Sequence, residues 1–382
     1  MKKLITLALV AALITALCGC GGEKSSSSKT ESSKISPTPA PTSATEAKAG
    51  KDDEKLASYG FSGVVFAAEG DWVLYDGASG VSGGEAGEKI THDSLFCIGS
   101  VSKQFAAAAI MQLQDKGLLS TSDTLDKYFP ECPYGGEITL RQMLSMRSGI
   151  TEFYEVIEGN GCYNELPKGE LRGTVTNDNT PEENRRLLTE WLFEQPLDFE
   201  PGSFLQYTNS NYFLLAQIVE KVSGERYEEY LKKHIFEPLE MKNTGFIDEM
   251  LDDPRLVRSP HEASTVYVGI TMGLGDMISC ADDIDRWLKS FSGDEILSAK
   301  AKEEMSTNYS AEDGASYGYG FIPNEAGGLS HSGFFTSYSA LVYVQPEENY
   351  RFFAVTNDAL SMSVSLTELG SVIISETKSN TN

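Results

Sequence analysis

Gly99-Ser100-Val101-Ser102-Lys103-Gln104-Phe105 sets a serine hydroxyl and a lysine amine three residues apart at the head of a long apolar run. On a helix, positions i and i+3 share a face. A hydroxyl is a weak nucleophile until a base takes its proton, and Lys103 is placed to be that base for Ser100 once its amine is neutral. Two features of the surrounding sequence favour the neutral amine. Phe105 to Met111 is unbroken apolar sequence. A helix apolar all round is a buried helix, and burial disfavours an ammonium. Lys103 also falls in the first turn, where the helix dipole is positive. Gln112, Gln114, Asp115 and Lys116 then restore polarity, and Gly117 offers a C-cap.

The spacing alone carries little. Ser-x-x-Lys recurs at Ser26–Lys29, in a serine-rich stretch, and at Ser375–Lys378, in the polar C-terminal tail. Only the middle copy opens a buried helix.

Upstream of this helix the pattern predicts strands over 61–68 and 72–75 around the turn Glu69-Gly70-Asp71. The glycine-rich stretch 77–87 lacks the Gly-Lys-Ser/Thr ending of a phosphate loop and reads as a plain loop. Downstream, helices are expected over 140–146, 181–194, 211–222, 227–235 and 281–291. Pro181 takes a favourable first-turn position in the second of them. Strands are expected over 337–344 and 350–356, and an amphipathic helix over 360–374. Strands at both ends with helices between them imply one sheet built from the two ends, carrying an inserted helical region.

The first twenty residues stand apart. Lys2 and Lys3 precede an apolar run over 4–17 that is short for a span of about 20 residues, so 1–20 reads as a secretory signal. It ends in Leu17-Cys18-Gly19-Cys20, which resembles a bacterial lipobox with Cys20 as the lipidated residue. The following 21–53 contains Ser25 to Ser28 and alternating Pro37, Pro39 and Pro41. Such composition cannot order itself by burial and acts as a spacer. The expectation is a domain over 54–382 tethered by lipid to the outer face of the bacterial cytoplasmic membrane.

The net charge of −25 argues against a nucleic-acid partner, because phosphate contacts need clustered Lys and Arg. Cys97, Cys132, Cys162 and Cys280 lie in the domain. An exported chain allows a Cys132–Cys162 bridge, but four cysteines admit three pairings, and free buried thiols serve equally well. The four histidines, His92, His234, His261 and His331, are scattered, and no Cys/His spacing suggests zinc. No cofactor is called for.

Two further stretches carry chemistry. Tyr207-Thr208-Asn209 follows Pro201-Gly202 and is the sole Tyr-x-Asn of the chain. A loop tyrosine beside a Ser–Lys pair can relay protons, and an asparagine amide can bind a substrate carbonyl. The plain alternative is a turn before a helix with Asn209 or Ser210 as N-cap. Ser330-His331-Ser332-Gly333-Phe334 precedes the late strands. Gly333 lets a substrate backbone approach a strand edge, and His331 can donate a hydrogen bond or shuttle a proton. The plain alternative is a strand entry with an exposed histidine. Arg147-Ser148-Gly149 looks similar but ends a helix.

Ser-x-x-Lys, Tyr-x-Asn and His-x-Gly in this order resemble the serine β-lactamase and penicillin-binding protein superfamily. The resemblance is narrower to its class C-related branch of D,D-peptidases, D-aminopeptidases and esterases, and it extends over about 61–374. It implies an α+β fold, an antiparallel sheet flanked by helices with an inserted helical subdomain, and a site between them. It implies Ser100 as acylated nucleophile, Lys103 as its base and Tyr207 as proton donor to the leaving group. Asn209, His331 and Gly333 would bind substrate, and the backbone N–H groups of Ser100 and Phe334 would form the oxyanion hole. The implied partner is a small peptide or ester.

Two departures stand out. His331 occupies a place where β-lactamases and many D,D-peptidases carry lysine to meet a substrate carboxylate, which counts against efficient penicillin hydrolysis. The esterase and aminopeptidase relatives do use histidine there. Ser145-Met146-Arg147-Ser148-Gly149 stands where relatives often read Thr-His-Thr-Ser-Gly, and the sequence leaves open whether Arg147 is structural or charges the cleft. A competing reading is a lipoprotein that holds cell-wall peptides or penicillin with weak or no turnover; the Ser100–Lys103 pair speaks against it. A Ser-His-Asp hydrolase using His331 is a further rival, but no Gly-x-Ser-x-Gly elbow is present.

Overall fold

The computed structural model describes residues 53–84, 87–159, 162–261 and 269–379. Of the leader expected over 1–20 and the spacer expected over 21–53, residues 1–52 lie outside the described residues, and Asp53 begins a helical stretch.

The strands are β1 (Gly63–Glu69), β2 (Trp72–Ser79), β3 (Phe96–Cys97), β4 (Tyr154–Gly159), β5 (Cys162–Pro167), β6 (Gly245–Phe246), β7 (Met277–Ser279), β8 (Ile322–Pro323), β9 (Leu329–Phe335), β10 (Tyr338–Gln345) and β11 (Tyr350–Thr356). The helices that build the core and the site are α1 (Lys103–Asp115), α2 (Pro181–Glu194), α3 (Asn209–Ser223), α4 (Ala281–Lys289) and α5 (Leu366–Ser379).

The main sheet has six strands in the order β2-β1-β11-β10-β9-β8, and its pairings are antiparallel. The N-terminal hairpin pairs with the last strand, Val64 opposite Val355 and Phe66 opposite Phe353. One sheet is therefore made from both ends, and it is flanked by helices as the resemblance implies.

Side chains alternate across a strand, and here both faces are covered. Val64, Phe66, Phe353, Val355 and Val342 enter the large core shared with α1, α3 and α4. Val65, Ala67, Phe352 and Ala354 face the other way, onto Leu369 and Ile373 of α5 and Leu56 of the helical stretch 53–58. This accounts for the apolar runs Gly63–Ala68 in β1 and Phe352–Val355 in β11, which a strand with one solvated face would not show.

Helix α1 is the centre of the large core. Every residue from Lys103 to Leu113 is buried. Phe105 stacks on Trp287 with ring centroids 4.2 Å apart, and the Trp287 indole donates to Gln104 Oε1 at 2.7 Å. Burying one such phenyl ring contributes about 2–3 kcal/mol. The helix ends as its sequence indicates. Gly117 takes φ 69°, with Gly117 N–H donating to Gln114 O and Leu118 N–H to Leu113 O.

Several boundaries differ from the sequence pattern. β2 runs on through Ser79, so the glycine-rich loop begins later than expected. The α-helix begins at Lys103, and Gly99–Ser102 is a 3-10 turn before it. The helix expected over 227–235 widens into a π-turn at Lys232–Phe236. The hairpin of β4 and β5 stands where only a loop was read. The C-terminal helix starts at Leu366 rather than 360, behind a reciprocal cap in which Glu368 N–H donates to Ser365 Oγ and Ser365 N–H to Glu368 Oε2. Cys97, Cys132 and Cys280 are free buried thiols, which removes the Cys132–Cys162 bridge.

Candidate active site

Ser100 sits in the 3-10 turn, half-buried, at the mouth of the core. The turn is fixed from two sides. Ser102 Oγ donates to Gly99 O at 2.7 Å and accepts from Met277 N–H of β7 at 3.3 Å. On the other side β9 packs directly against the turn. A Cβ on Gly333 would lie 1.9 Å from Ile98 O and 3.0 Å from Ser100 N, and one on Gly99 would lie 2.7 Å from Phe334 N. Only glycine at both positions lets the two backbones approach so closely. This approach sets the peptide of Ser100 against the strand that carries Phe334.

Lys103 is fully buried. Its Nζ lies 2.9 Å from Ser100 Oγ, 2.7 Å from Asn209 Oδ1 and 2.8 Å from Leu274 O. The two carbonyl oxygens can only accept. A neutral amine has two N–H bonds and one lone pair. With both N–H bonds committed to Asn209 and Leu274, the lone pair is left facing the Ser100 hydroxyl. The same three contacts satisfy all three donors of an ammonium. The cage therefore serves both protonation states, as a group that takes and returns a proton requires.

Asn209 is delivered by the start of α3. The N-cap is Thr208, whose Oγ1 accepts from Ser210 N–H at 3.2 Å, rather than Asn209 or Ser210. This frees the Asn209 side chain to reach Lys103. The segment is laced to 148–152. Ser210 Oγ donates to Thr151 O at 2.6 Å, Ser148 Oγ donates to Asn211 Oδ1 at 2.6 Å, and Asn209 N–H donates to Glu152 Oε2 at 2.6 Å.

Tyr207 is more than a third exposed, and its ring centre lies 5.0 Å from Lys103 Nζ. It meets Tyr317 edge-on at 6.1 Å and His331 at 6.3 Å between ring centres. His331 is buried rather than exposed. Its Nδ1 lies 2.6 Å from Ser332 O, an acceptor, so Nδ1 carries the proton. Nε2 then accepts from the Tyr317 hydroxyl at 3.0 Å. Burial, with help from the Lys103 charge, pushes the His331 pKa down to about 3. The imidazole is thus a neutral wall of the site with both nitrogens engaged. In this arrangement it has no N–H left to donate to a substrate and no free nitrogen to act as base, which removes the geometric support for a Ser-His-Asp reading.

Arg147 resolves as structural. Its guanidinium pairs with Asp313, donates to Gly202 O, and reaches Ser310 Oγ at 3.3 Å. Gly202 N–H returns a bond to Arg147 O at 2.8 Å, and Gln206 N–H donates to Met146 O at 2.9 Å. One side chain therefore joins the segment leading to Tyr207 with the segment leading to Tyr317.

Three participants were not singled out by the sequence. Leu274 contributes a backbone carbonyl, which side-chain reading cannot see. Tyr317 stands in the aromatic repeat Tyr317-Gly318-Tyr319-Gly320, a signal that was available. Glu152 follows Ser148-Gly149 closely but lay in a stretch read only as a cleft loop.

The beta-lactamase family model matches residues 49–368. Penicillin-binding protein 4* of Bacillus subtilis is 28% identical over 74% of this chain and 65% of its own length. Putative penicillin-binding protein PbpX of the same organism is 32% identical over 70% of this chain and 65% of its own. The chain thus spans just under two thirds of these relatives. A crystal structure of a D-stereospecific amidohydrolase from Streptomyces sp. superposes with TM-score 0.62 at 25% identity, over 82% of this chain and 94% of that one.

Proposed function

This chain belongs to the beta-lactamase family of serine hydrolases and amidases, and we propose that it hydrolyses peptide, amide or ester bonds through an acyl-enzyme on Ser100. The observation that carries the reading is the Lys103 cage, with two obligate acceptors on Nζ and Ser100 Oγ at 2.9 Å.

In this reading Lys103 takes the Ser100 proton as Oγ bonds to the substrate carbonyl carbon. The oxyanion forms against the N–H groups of Ser100 and Phe334, each worth about 3 kcal/mol in such a role. Tyr207 delivers the proton to the leaving group as its bond breaks. Water then bonds to the acyl carbon as the same pair takes one of its protons; the acyl C–Oγ bond breaks, that proton passes to Ser100 Oγ and the carboxylic acid leaves.

The site favours substrates whose recognised end is uncharged. The neutral His331–Tyr317 wall stands where a lysine would hold a carboxylate, so penicillins are expected to be turned over poorly. D-configured amides or esters from cell-wall peptides suit the site better, in keeping with the names of the amidohydrolase and penicillin-binding relatives. Export and lipid attachment at Cys20 belong to the proposal and rest on Leu17-Cys18-Gly19-Cys20.

The test is intact mass after incubation with a fluorophosphonate. A single adduct on the protein and none on Ser100→Ala is expected. Equal labelling of both, or of neither, would overturn the acyl-enzyme reading and favour a binding protein.

A further inference from the structure

Glu152 is a half-buried carboxylate beside the Ser100–Lys103 pair with no place in the mechanism above. Its Oε2 accepts from Asn209 N–H at 2.6 Å and its Oε1 from Tyr154 N–H at 2.9 Å. Two backbone donors, one on each oxygen, are the arrangement an ionised carboxylate satisfies best. Asn209 is the residue whose side chain holds Lys103. A continuous chain therefore runs from Glu152 Oε2 through the Asn209 backbone and Oδ1 to Lys103 Nζ and Ser100 Oγ, with contacts of 2.6, 2.7 and 2.9 Å.

The charges bear on each other as well. Burial pushes the Glu152 carboxyl above its usual range, while its two N–H partners and the Lys103 and Lys168 charges pull it back. A group that feels the Lys103 charge acts on it in return by the same amount. Before acylation, with Lys103 neutral, the carboxylate faces its two N–H partners and the Lys168 charge. Once Lys103 accepts the Ser100 proton, an opposite charge appears across Asn209.

We propose that Glu152 is a positioning residue for acylation, pinning the backbone of Asn209 and supplying the counter-charge for the ammonium that Lys103 becomes. The inference rests on the acyl-enzyme reading above. The step balances within the site: the Ser100 O–H bond breaks, its proton forms the third N–H bond of Lys103, and Oγ bonds to the electrophile. The carboxylate takes no proton. It makes the ammonium less costly, and this matters only as the charge develops.

A fluorophosphonate isolates this contribution. The Oγ–P bond forms, the P–F bond breaks and fluoride leaves as an anion, so no proton need pass through Tyr207 to the leaving group. The labelling rate is measured against pH for wild type, Glu152→Gln and Glu152→Asp, with thermal unfolding of each recorded. The charged and titratable groups near Glu152 and Lys103 include Lys168, Tyr154, Tyr207, Tyr212, Tyr317 and His331, and all are kept in every variant.

Removing the negative charge makes the Lys103 proton easier to lose. Glu152→Gln should label about three- to tenfold more slowly on the plateau, and the acid limb should move to lower pH by about one unit. Glu152→Asp keeps the charge and should lose rate with the acid limb in place. A slower Glu152→Gln with an unmoved limb would mean packing alone and overturn the proposal, as would a wild-type rate and limb. If Glu152→Gln does not fold, Glu152→Asp decides: a limb that falls although the carboxylate remains overturns the proposal. Wild type left unlabelled at Ser100 would overturn the acyl-enzyme reading and this inference together.

Discussion

Lys103 Nζ lies 2.7 Å from Asn209 Oδ1, a contact between the first residue of α1 and the first residue of α3 across 106 positions of sequence. It sets the direction of the lysine lone pair. In Asn209→Ala the amine loses one of the two carbonyl acceptors that orient it, so the lone pair is less firmly directed at Ser100. Fluorophosphonate labelling should fall by about 10- to 100-fold, as expected when a positioned general base is loosened. Asn209→Asp restores an acceptor but adds a negative charge beside Lys103. Its labelling should recover only at higher pH than wild type, and a profile identical to wild type would count against the cage.

The close approach of β9 to the Ser100 turn makes a second prediction. A methyl on Gly333 would sit 1.9 Å from Ile98 O, so strand and turn must part in Gly333→Ala. Phe334 N–H then moves away from Ser100 N–H. Labelling is expected to drop by about 10²- to 10³-fold, the size of losing one oxyanion donor. Gly173 has open space where its Cβ would be, and Gly173→Ala serves as the control that should label like wild type.

Much of the scaffold was legible because local chemistry and tertiary burial agree there. Pro181 marks the start of α2, and the structure adds Thr180 as its N-cap, Oγ1 accepting from Glu183 N–H at 3.1 Å. β11 is legible because Phe352–Val355 is an apolar run on both faces, bounded by the turn Pro346-Glu347-Glu348-Asn349. The start of α3 was misread because Thr208, Asn209 and Ser210 are all competent N-caps. Which one serves is decided by Lys103 pulling the Asn209 side chain inward, a contact invisible in local sequence. The true start of α5 was written in Ser365-x-x-Glu368, which the reading passed over for the earlier apolar Leu360 and Met362. The β4–β5 hairpin escaped because Glu155, Glu158, Asn164 and Glu165 interrupt any apolar alternation. Of the site, the motif residues could be nominated from sequence, but not the Leu274 carbonyl, nor the commitment of both His331 nitrogens.

Arg147 offers a test of the link between the two walls of the cleft. Arg147→Ala strips the guanidinium from Asp313, Ser310 and the Gly202 carbonyl at once. The cost in stability should be about 1.5–3 kcal/mol, the range for hydrogen bonds to a charged group, read from the urea midpoint. Labelling should also slow, because the segment ending in Tyr207 loses its tie to the segment carrying Tyr317. Arg147→Lys should recover little, since an ammonium cannot span three acceptors set out for a planar fork. Unchanged labelling in both variants would confine Arg147 to stability.

His331 gives the fold a pH dependence of known sign. Its folded pKa is pushed down to about 3 by burial and the Lys103 charge, whereas in the unfolded chain an imidazole titrates near 6.5. Between these values the unfolded state binds a proton that the folded state refuses. Stability therefore rises with pH across this window. The contribution is complete above about 6.5 and is lost progressively as pH falls toward 3. Gln in place of His331 keeps a donor for Ser332 O and an acceptor for the Tyr317 hydroxyl but cannot be protonated. The difference in urea midpoint between wild type and His331→Gln should thus be constant from pH 7 to 8. It should move steadily in favour of the variant from pH 6.5 to 4.5. A difference that stays flat through that lower range would mean that His331 is protonated in the folded protein, and the neutral wall assigned to the site would have to be given up.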